Sequence, residues 1–373
     1  MNILIIAPYT GGIDVYVRAL KNGLEMAGAK VTIDGGTENE SPYNKSENKF
    51  RSSEEVKALA EKIVDRIDFS KFDLVAFHYG KNDIEQYLPV ILKKRNIFVP
   101  NPIYFVHYLS RNLFSHYLND KNAQDEVEKA TANFFTGYVF FGQFPRDFME
   151  KQLGRQLPGV IAYHPEAHSH SSIPDYLSIV KKIIPSELDR NLPTSILSGF
   201  ASNYKDHELL IDSLKFVNKP MNLLFSGPGW FKRLQFENKK NGVVNVFVRD
   251  KYLDESEFLV SVKETDFGIF PYHQPMDKME IFQGSGALPN YLYQGKPCIV
   301  LNDGVMAEYV GNAGIVVKSI SADELGSAIN TMLADENIHK YSEKSKMRSH
   351  LFSQKTHGKT CYDYFSRLIK GKD

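Results

Sequence analysis

The chain has 373 residues, and its 45 Lys and Arg balance 45 Asp and Glu for a formal net charge of zero. That balance argues against a nucleic-acid footprint, leaving room only for a local basic patch, and the length predicts two domains rather than one. Hydrophobic residues at 42% allow full cores, and no apolar run reaches the roughly 20 residues of a membrane-spanning helix.

Taken in chain order, MNILIIAPYTGG opens with an apolar run too short, and without the basic leader, for a secretory signal. Two cysteines, Cys298 and Cys361, make no disulfide framework and suit a reduced cytosol. A cytoplasmic protein is expected. Apolar, β-branched runs then alternate with amphipathic segments, the pattern of parallel α/β architecture. NILIIAP, KVTID, FDLVAFH, PIYFVH, GYVFFG and GVIAYH predict strands in the first half. Between the first two, Ile13, Tyr16, Leu20, Leu24 and Ala27 recur every three or four residues and predict one face of a helix, which Gly28 stops. The polar residues 35–53 predict a loop. The stretch from His164 to Pro193, with its prolines, histidines and mixed charge, breaks the rhythm and predicts the connection between domains. SILSGF, MNLLFSG, VVNVFV, DFGIFPY, PCIVLN and AGIVV restart it, with helices expected near 206–216, 254–263, 287–295 and 321–334 and a helical tail over 338–371. The expected domains are 1–170, a linker at 171–192, and 193–352.

Several segments carry chemistry. In IIAPYTGGIDVYVRAL a strand, the Gly11-Gly12 turn and a helix bring backbone N–H groups to a strand's carboxyl end, where doubly wound sheets bind ligands. The same glycines equally serve a simple chain reversal, since this is not the three-glycine dinucleotide fingerprint. That absence also argues against a Rossmann-type oxidoreductase. His78 and His107 each end an apolar strand, where a histidine can donate to a hydroxyl, assist proton transfer or serve structure. His107 is the better candidate. Lys205 stands just ahead of a helix start near Asp206, a poor place for a cation unless an anion lies between them. QGSGALP places Gln283, Gly284, Ser285, Gly286, Ala287 and Leu288 at another helix start, suited to wrapping a phosphate with bare amides or, more plainly, to an N-cap at Ser285. Asn290 lies one turn further on, in reach of a ribose hydroxyl, and Glu308 starts a short turn facing the same cleft. His164, His168 and His170 have irregular spacing and no accompanying Cys or carboxylate pattern, so no metal site is expected.

Together these segments resemble the retaining glycosyltransferases of family 4. GGIDVYVRALKNGLEMAGAKVT is similar to that family's N-terminal pattern, FVHY to its strand-end histidine, YKDHELLIDSL to its lysine segment, and GSGALPNYLYQGKPCIVLNDGVMAEYVGNAGIVV to its long signature. The motifs keep their order along the chain. The resemblance implies a GT-B fold, two Rossmann-like doubly wound parallel-sheet domains facing a cleft, with a C-terminal helix at about 353–373 crossing back to the first. It implies a nucleotide-diphosphate sugar as donor, a hexose-type sugar moved with retention, a carbohydrate or lipid-linked glycan as acceptor, and neither cofactor nor metal. His107 would contact the sugar, and Lys205 with residues 283–288 would hold the diphosphate. Asn290 and Glu308 would meet the ribose and nucleotide side, and Gly11, Gly12 and His78 would lie near acceptor and phosphate. Three departures stand out: Phe200 takes the place of an arginine, Asn290 that of one glutamate, and Phe282, with Glu280 nearby, that of another. They keep two other readings open, a degenerate subunit partnering an active transferase and a sugar-nucleotide epimerase. KKRNIF, Lys370 and Lys372 add slight basic character toward an anionic lipid surface at the inner face of the membrane.

Overall fold

The structure, a computed structural model, describes residues 1–8, 12–34, 43–44, 49–79, 84–110, 112–115, 120–166, 173, 175–202, 204–234, 239–273, 280–281, 284–334 and 336–371. All twelve predicted runs form strands. The chain divides into two compact units: Met1–His164 with Asp277–Gln283 and Gln354–Asp373, and Pro165–Met276 with Gly284–Ser353.

The first unit is built on six parallel strands, β1 (Asn2–Ile6), β2 (Lys30–Asp34), β3 (Leu74–His78), β4 (Pro102–Phe105), β5 (Gly137–Phe140) and β6 (Gly159–Ile161). Their order is β2-β1-β3-β4-β5-β6. Connections run in opposite directions from β1 and β3, and this switch point opens a crevice at the carboxyl edge of the sheet. Ile6 and His78 end β1 and β3 there, and Gly12 begins the helix that follows β1. Beyond β4, the short strand Leu109–Ser110 pairs antiparallel with Glu280–Ile281.

The helix Gly12–Met26 buries Ile13, Tyr16, Leu20 and Leu24 against one face of this sheet. Gly28, at φ +95°, supplies the stop. Beside it lies Gln354–Ile369, the expected returning helix, which adds Cys361, Tyr364 and Phe365 to the same core. The two helices meet at glycines, for a Cβ on Gly358 would lie 2.0 Å from the carbonyl carbon of Gly23. The opposite face packs against Ser53–Arg66, Leu88–Lys94 and Lys121–Thr131. Within 35–53, expected to be a loop, Tyr43–Asn44 and Lys49–Phe50 pair as a short antiparallel ladder, and Ser52 and Glu55 close a capping box.

The second unit contains β7 (Thr194–Ser198), β8 (Met221–Ser226) and β9 (Val244–Arg249), parallel and in that order, with Lys239–Asn241 antiparallel at the edge. A second sheet holds β10 (Gly268–Phe270), β11 (Cys298–Leu301) and β12 (Gly314–Val317). The two join where the Asp266 amide donates to the Thr194 carbonyl, while the Thr194 amide donates to the Asp266 carboxylate. Residues 171–192, expected as the connection, hold the helix Tyr176–Ile183. Val180, Ile183, Ile184 and Leu188 pack there with Ile196, Leu224, Phe247 and Val260 of this unit. Their apolar spacing makes them core, and the chain passes from one unit to the other at His164–Pro165 instead. Among the described residues no helix is long and apolar enough to cross a membrane.

Because the added methyl would strike main chain rather than a movable side chain, Gly358→Ala should destabilise the first unit by about 1–3 kcal/mol. Thermal or urea unfolding followed on that unit will show it; an unchanged midpoint would mean the two helices are not in contact as described.

Candidate active site

In the first unit the carboxyl ends of β3 and β4 deliver His78 and His107 to one place. His78 Nδ1 lies 2.8 Å from His107 Nε2. His78 is wholly buried and its ring stacks on Phe105, with centroids 4.2 Å apart. The expectation that both histidines line the cleft is therefore corrected: His78 turns inward, and His107, half-buried, is the one that reaches the surface. Tyr16, from the Gly12–Met26 helix, sits among the rings. Its centroid is 4.9 Å from those of both His107 and His164 and 5.2 Å from Phe141. Its hydroxyl lies 2.7 Å from His357 Nε2, while His357 Nδ1 lies 2.9 Å from the Tyr163 carbonyl oxygen. Four imidazoles thus gather round one phenol.

Burial holds His78, His107 and His357 neutral. It drives His78 and His107 well below the ordinary histidine value, helped by the neighbouring imidazoles, and takes His357 down to about 3. Gly12 begins its helix with open space where a Cβ would stand, so no close approach requires glycine there. Gly11, His168 and His170 lie outside the described residues.

In the second unit Lys205 is the central finding. It is 4% exposed, and its ammonium donates to the Ser198 carbonyl at 3.1 Å. The ring centroids of Tyr272 and Trp230 lie 5.4 and 5.8 Å from Nζ. No carboxylate pairs with it among the described residues, and burial lowers its pKa to about 7. The chain makes room for it with glycine: a Cβ on Gly199, at φ +102°, would stand 3.0 Å from Nζ. Trp230 Nε1 donates to the Gly199 carbonyl at 2.9 Å, and Gly227 must be bare because a Cβ there would meet that same carbonyl oxygen at 2.2 Å. The helix His207–Ser213 does not offer the free N-terminus expected beside Lys205. Asp206 caps it, accepting from the Leu209 amide at 2.8 Å, and also holds His273 Nε2 at 2.8 Å.

The GSGAL loop leads into the helix Leu288–Tyr293. Tyr291 of that helix donates to the Ile196 carbonyl at 2.5 Å and lies 3.4 Å from the Ser198 hydroxyl. Lys205 and this helix therefore converge on Ser198, at the carboxyl end of β7. The amides of Ala287 and Leu288 are taken by Ser285 Oγ, at 3.1 and 3.4 Å. Ser285 Oγ thus occupies the two amides at the helix start, whose N-cap position is Ala287. The bare amides narrow to Gly284, Ser285 and Gly286, which take no partner among the described residues. Asn290 is 1% exposed and gives Nδ2 to the Gly286 carbonyl at 3.0 Å, so it braces the loop rather than reaching outward. A Cβ on Gly284 would meet Val305 at 2.6 Å, which sets the turn before Glu308 against the loop. Glu308 is half-exposed in the first turn of Met306–Val310. Phe200 is 60% exposed, with its ring 6.0 Å from that of Tyr252. Gln283 and Phe282 lie outside the described residues.

Trp230, Tyr272 and Gly227 were not singled out from the sequence. The sole tryptophan, in the run SGPGW just after a strand, was the signal that could have found them.

No family model and no curated protein matches the chain. Its structure is nonetheless similar end to end to solved ones. It matches sucrose-phosphate synthase of Thermosynechococcus elongatus at a TM-score of 0.68 and 15% identity, over 100% of both chains. A glycosyltransferase of Rickettsia africae gives 0.67 and 14%, over 100% of this chain and 99% of that one. HepE of Anabaena, solved in complex with UDP and glucose, gives 0.66 and 15%, over 99% and 100%. The fold is that of the GT-B glycosyltransferases, two α/β units built on parallel sheets.

The neutral histidines make stability depend on pH. Unfolded, each titrates near 6.5; folded, each titrates lower, so the unfolded state binds more protons and stability is full above 6.5 and lost as pH falls below it. For His357 the window runs from 6.5 to about 3. The slope should reach roughly 1.4 kcal/mol per pH unit for each histidine. Urea midpoints measured from pH 7.5 to 5 should fall, and His357→Gln should flatten the fall; a slope untouched by that change would contradict the neutral assignment.

Proposed function

We propose that the chain is a retaining, metal-independent glycosyltransferase that moves a hexose-type sugar from a nucleotide-diphosphate sugar to a carbohydrate or lipid-linked glycan. The observation that carries the reading is Lys205, a buried ammonium without a carboxylate partner among the described residues. A cation kept there at a desolvation cost of several kcal/mol has the character of half an ion pair. The unpartnered amides of residues 284–286 supply donors of the kind a diphosphate accepts. Support for the donor class comes from HepE, which shares the fold and was solved with UDP-glucose.

In the proposed reaction the anomeric C–O bond breaks, leaving negative charge on the diphosphate and positive charge on the sugar. Lys205 and the loop amides neutralise the first. The helix Leu288–Tyr293 has only six residues and the Lys205 helix is capped by Asp206, so helix dipoles contribute little and the lysine carries most of the burden. The leaving phosphate takes the proton of the acceptor hydroxyl, which attacks from the same face. His107 donates a hydrogen bond to the sugar. The degenerate-subunit reading keeps one supporting observation, the commitment of Asn290 to the Gly286 carbonyl. It requires donor binding without transfer across an acceptor panel, and epimerisation requires donor turnover with no acceptor.

UDP-, GDP-, ADP- and dTDP-sugars should be screened by thermal shift, since a ligand of the folded state raises its melting temperature. With the donor in hand, Lys205→Ala should slow transfer by roughly 30- to 1000-fold, the 2–4 kcal/mol typical of a preorganised donor; full activity in that variant would refute the assignment.

Affinity for the nucleoside diphosphate should also fall as pH rises above about 7, because the free protein then loses the Lys205 proton that the ligand requires. At pH 8.5 the loss should approach roughly thirtyfold, read by calorimetric titration, and should vanish in Lys205→Ala.

A further inference from the structure

We infer that His78 is a positioning residue: its buried ring fixes His107 as the Nδ1–H tautomer, so that His107 meets a ligand as a neutral hydrogen-bond donor and never as a base. The tautomer follows from the first unit alone; its catalytic consequence rests on the sugar-nucleotide reading above.

One proton lies between His78 Nδ1 and His107 Nε2, which are 2.8 Å apart. Burial keeps both rings neutral, so each carries a single proton and two arrangements remain. In the first, His107 donates from Nε2 and the proton of His78 resides on its own Nε2. That nitrogen is buried and has no partner among the described residues. An N–H would be stranded there, against the apolar packing of Phe105 and Tyr16. In the second, His78 donates from Nδ1 and only a lone pair is left bare on Nε2. Orphaned buried N–H groups are the rarer defect in folded proteins, because a donor without an acceptor forfeits its whole solvation. The second arrangement holds. His107 Nε2 is then an acceptor, its proton sits on Nδ1, and Nδ1 is the nitrogen left to face a ligand from this half-exposed residue.

The chemistry of that choice is specific. A carboxylate in the place of His78 would favour an imidazolium at His107 and make it a proton acceptor, as in catalytic triads. A neutral imidazole partner does neither. The transition state of the proposed transfer builds positive charge on the sugar, where a second cation would repel it. A donor held neutral by its own neighbour can orient a sugar hydroxyl without that penalty. Retention by the leaving phosphate needs no protein base, so nothing is lost by forgoing one.

The test is a long-range 1H–15N spectrum of the full-length protein labelled at histidine, with His107 assigned by its loss in His107→Gln. The expected wild-type pattern is a protonated Nδ1 and a bare Nε2 on both His78 and His107. His78→Leu should return His107 to the Nε2–H form and lower kcat roughly fivefold, the worth of one neutral hydrogen bond, with little change in KM. His78→Asn, whose amide can donate from the position of Nδ1, should restore the Nδ1–H tautomer and much of the lost rate. A wild-type spectrum with the proton on His107 Nε2 overturns the inference, and that spectrum decides even if His78→Leu fails to fold. If the tautomer is as inferred and no sugar nucleotide binds, the transferase reading fails and the assignment of His78 stands.

Discussion

The constraint on which the second unit depends is one ammonium group withdrawn from water with a single carbonyl for company. Removing a lysine head from solvent costs several kcal/mol unless charge and hydrogen bonds are restored, and one neutral acceptor with two ring faces restores only part. The neighbourhood is shaped to accept that deficit. Gly199 gives up its side chain where Nζ approaches, and its carbonyl is steadied by Trp230. Gly227 gives up its side chain where that carbonyl passes, and Tyr272 bridges back to Lys205 along the main chain. Four residues are shaped around an ammonium whose burial is itself unfavourable. On the proposed reading, the compensating anion is the donor's diphosphate.

The first unit handles its titratable groups in the opposite way. His78, His107 and His357 are kept neutral by desolvation, and their hydrogen bonds run to one another, to a phenol and to a main-chain carbonyl. The Gln354–Ile369 helix supplies His357 to this group, so the close helix pairing at Gly23 and Gly358 bears on chemistry as well as on packing. One unit stores a positive charge and the other excludes charge.

Much of the fold was legible because parallel sheets write themselves as apolar runs: all twelve strands and the Gly28 stop could be placed from pattern. Lys205 was legible for a related reason, as a cation at a strand-to-helix junction is out of place electrostatically. What escaped was the direction in which a strand-end side chain turns. His78 and His107 both close apolar runs in the sequence, but the register sets His78 opposite Phe105 within the sheet and leaves His107 two residues past its strand's end. One is therefore buried on Phe105 and the other reaches the surface. Asn290 was read as reaching a ribose, but a short polar side chain at a loop can serve a ligand or its own backbone, and here its amide goes to the Gly286 carbonyl. Ser285 Oγ takes the backbone role that the sequence had left open beside the phosphate one. Residues 171–192 look like a linker by composition, but their four buried aliphatics find a core that composition does not reveal.

The departures at Phe200 and Asn290 look, in isolation, like the loss of a working site. Electrostatics argues otherwise. Replacing an arginine removes one positive charge, whereas replacing the two glutamates removes two negative ones, so the surroundings of an incoming diphosphate do not become more repulsive. The neutral Asn290 also does something a carboxylate cannot, donating to the Gly286 carbonyl and holding that turn of the loop in shape. On the proposed reading, Phe200 being an exposed aromatic and Asn290 a neutral amide, the buried Lys205 is the charge that would meet the anion. On that reading the strength of the site would rise and fall with one proton, in contrast to one held by a guanidinium, which no accessible pH discharges.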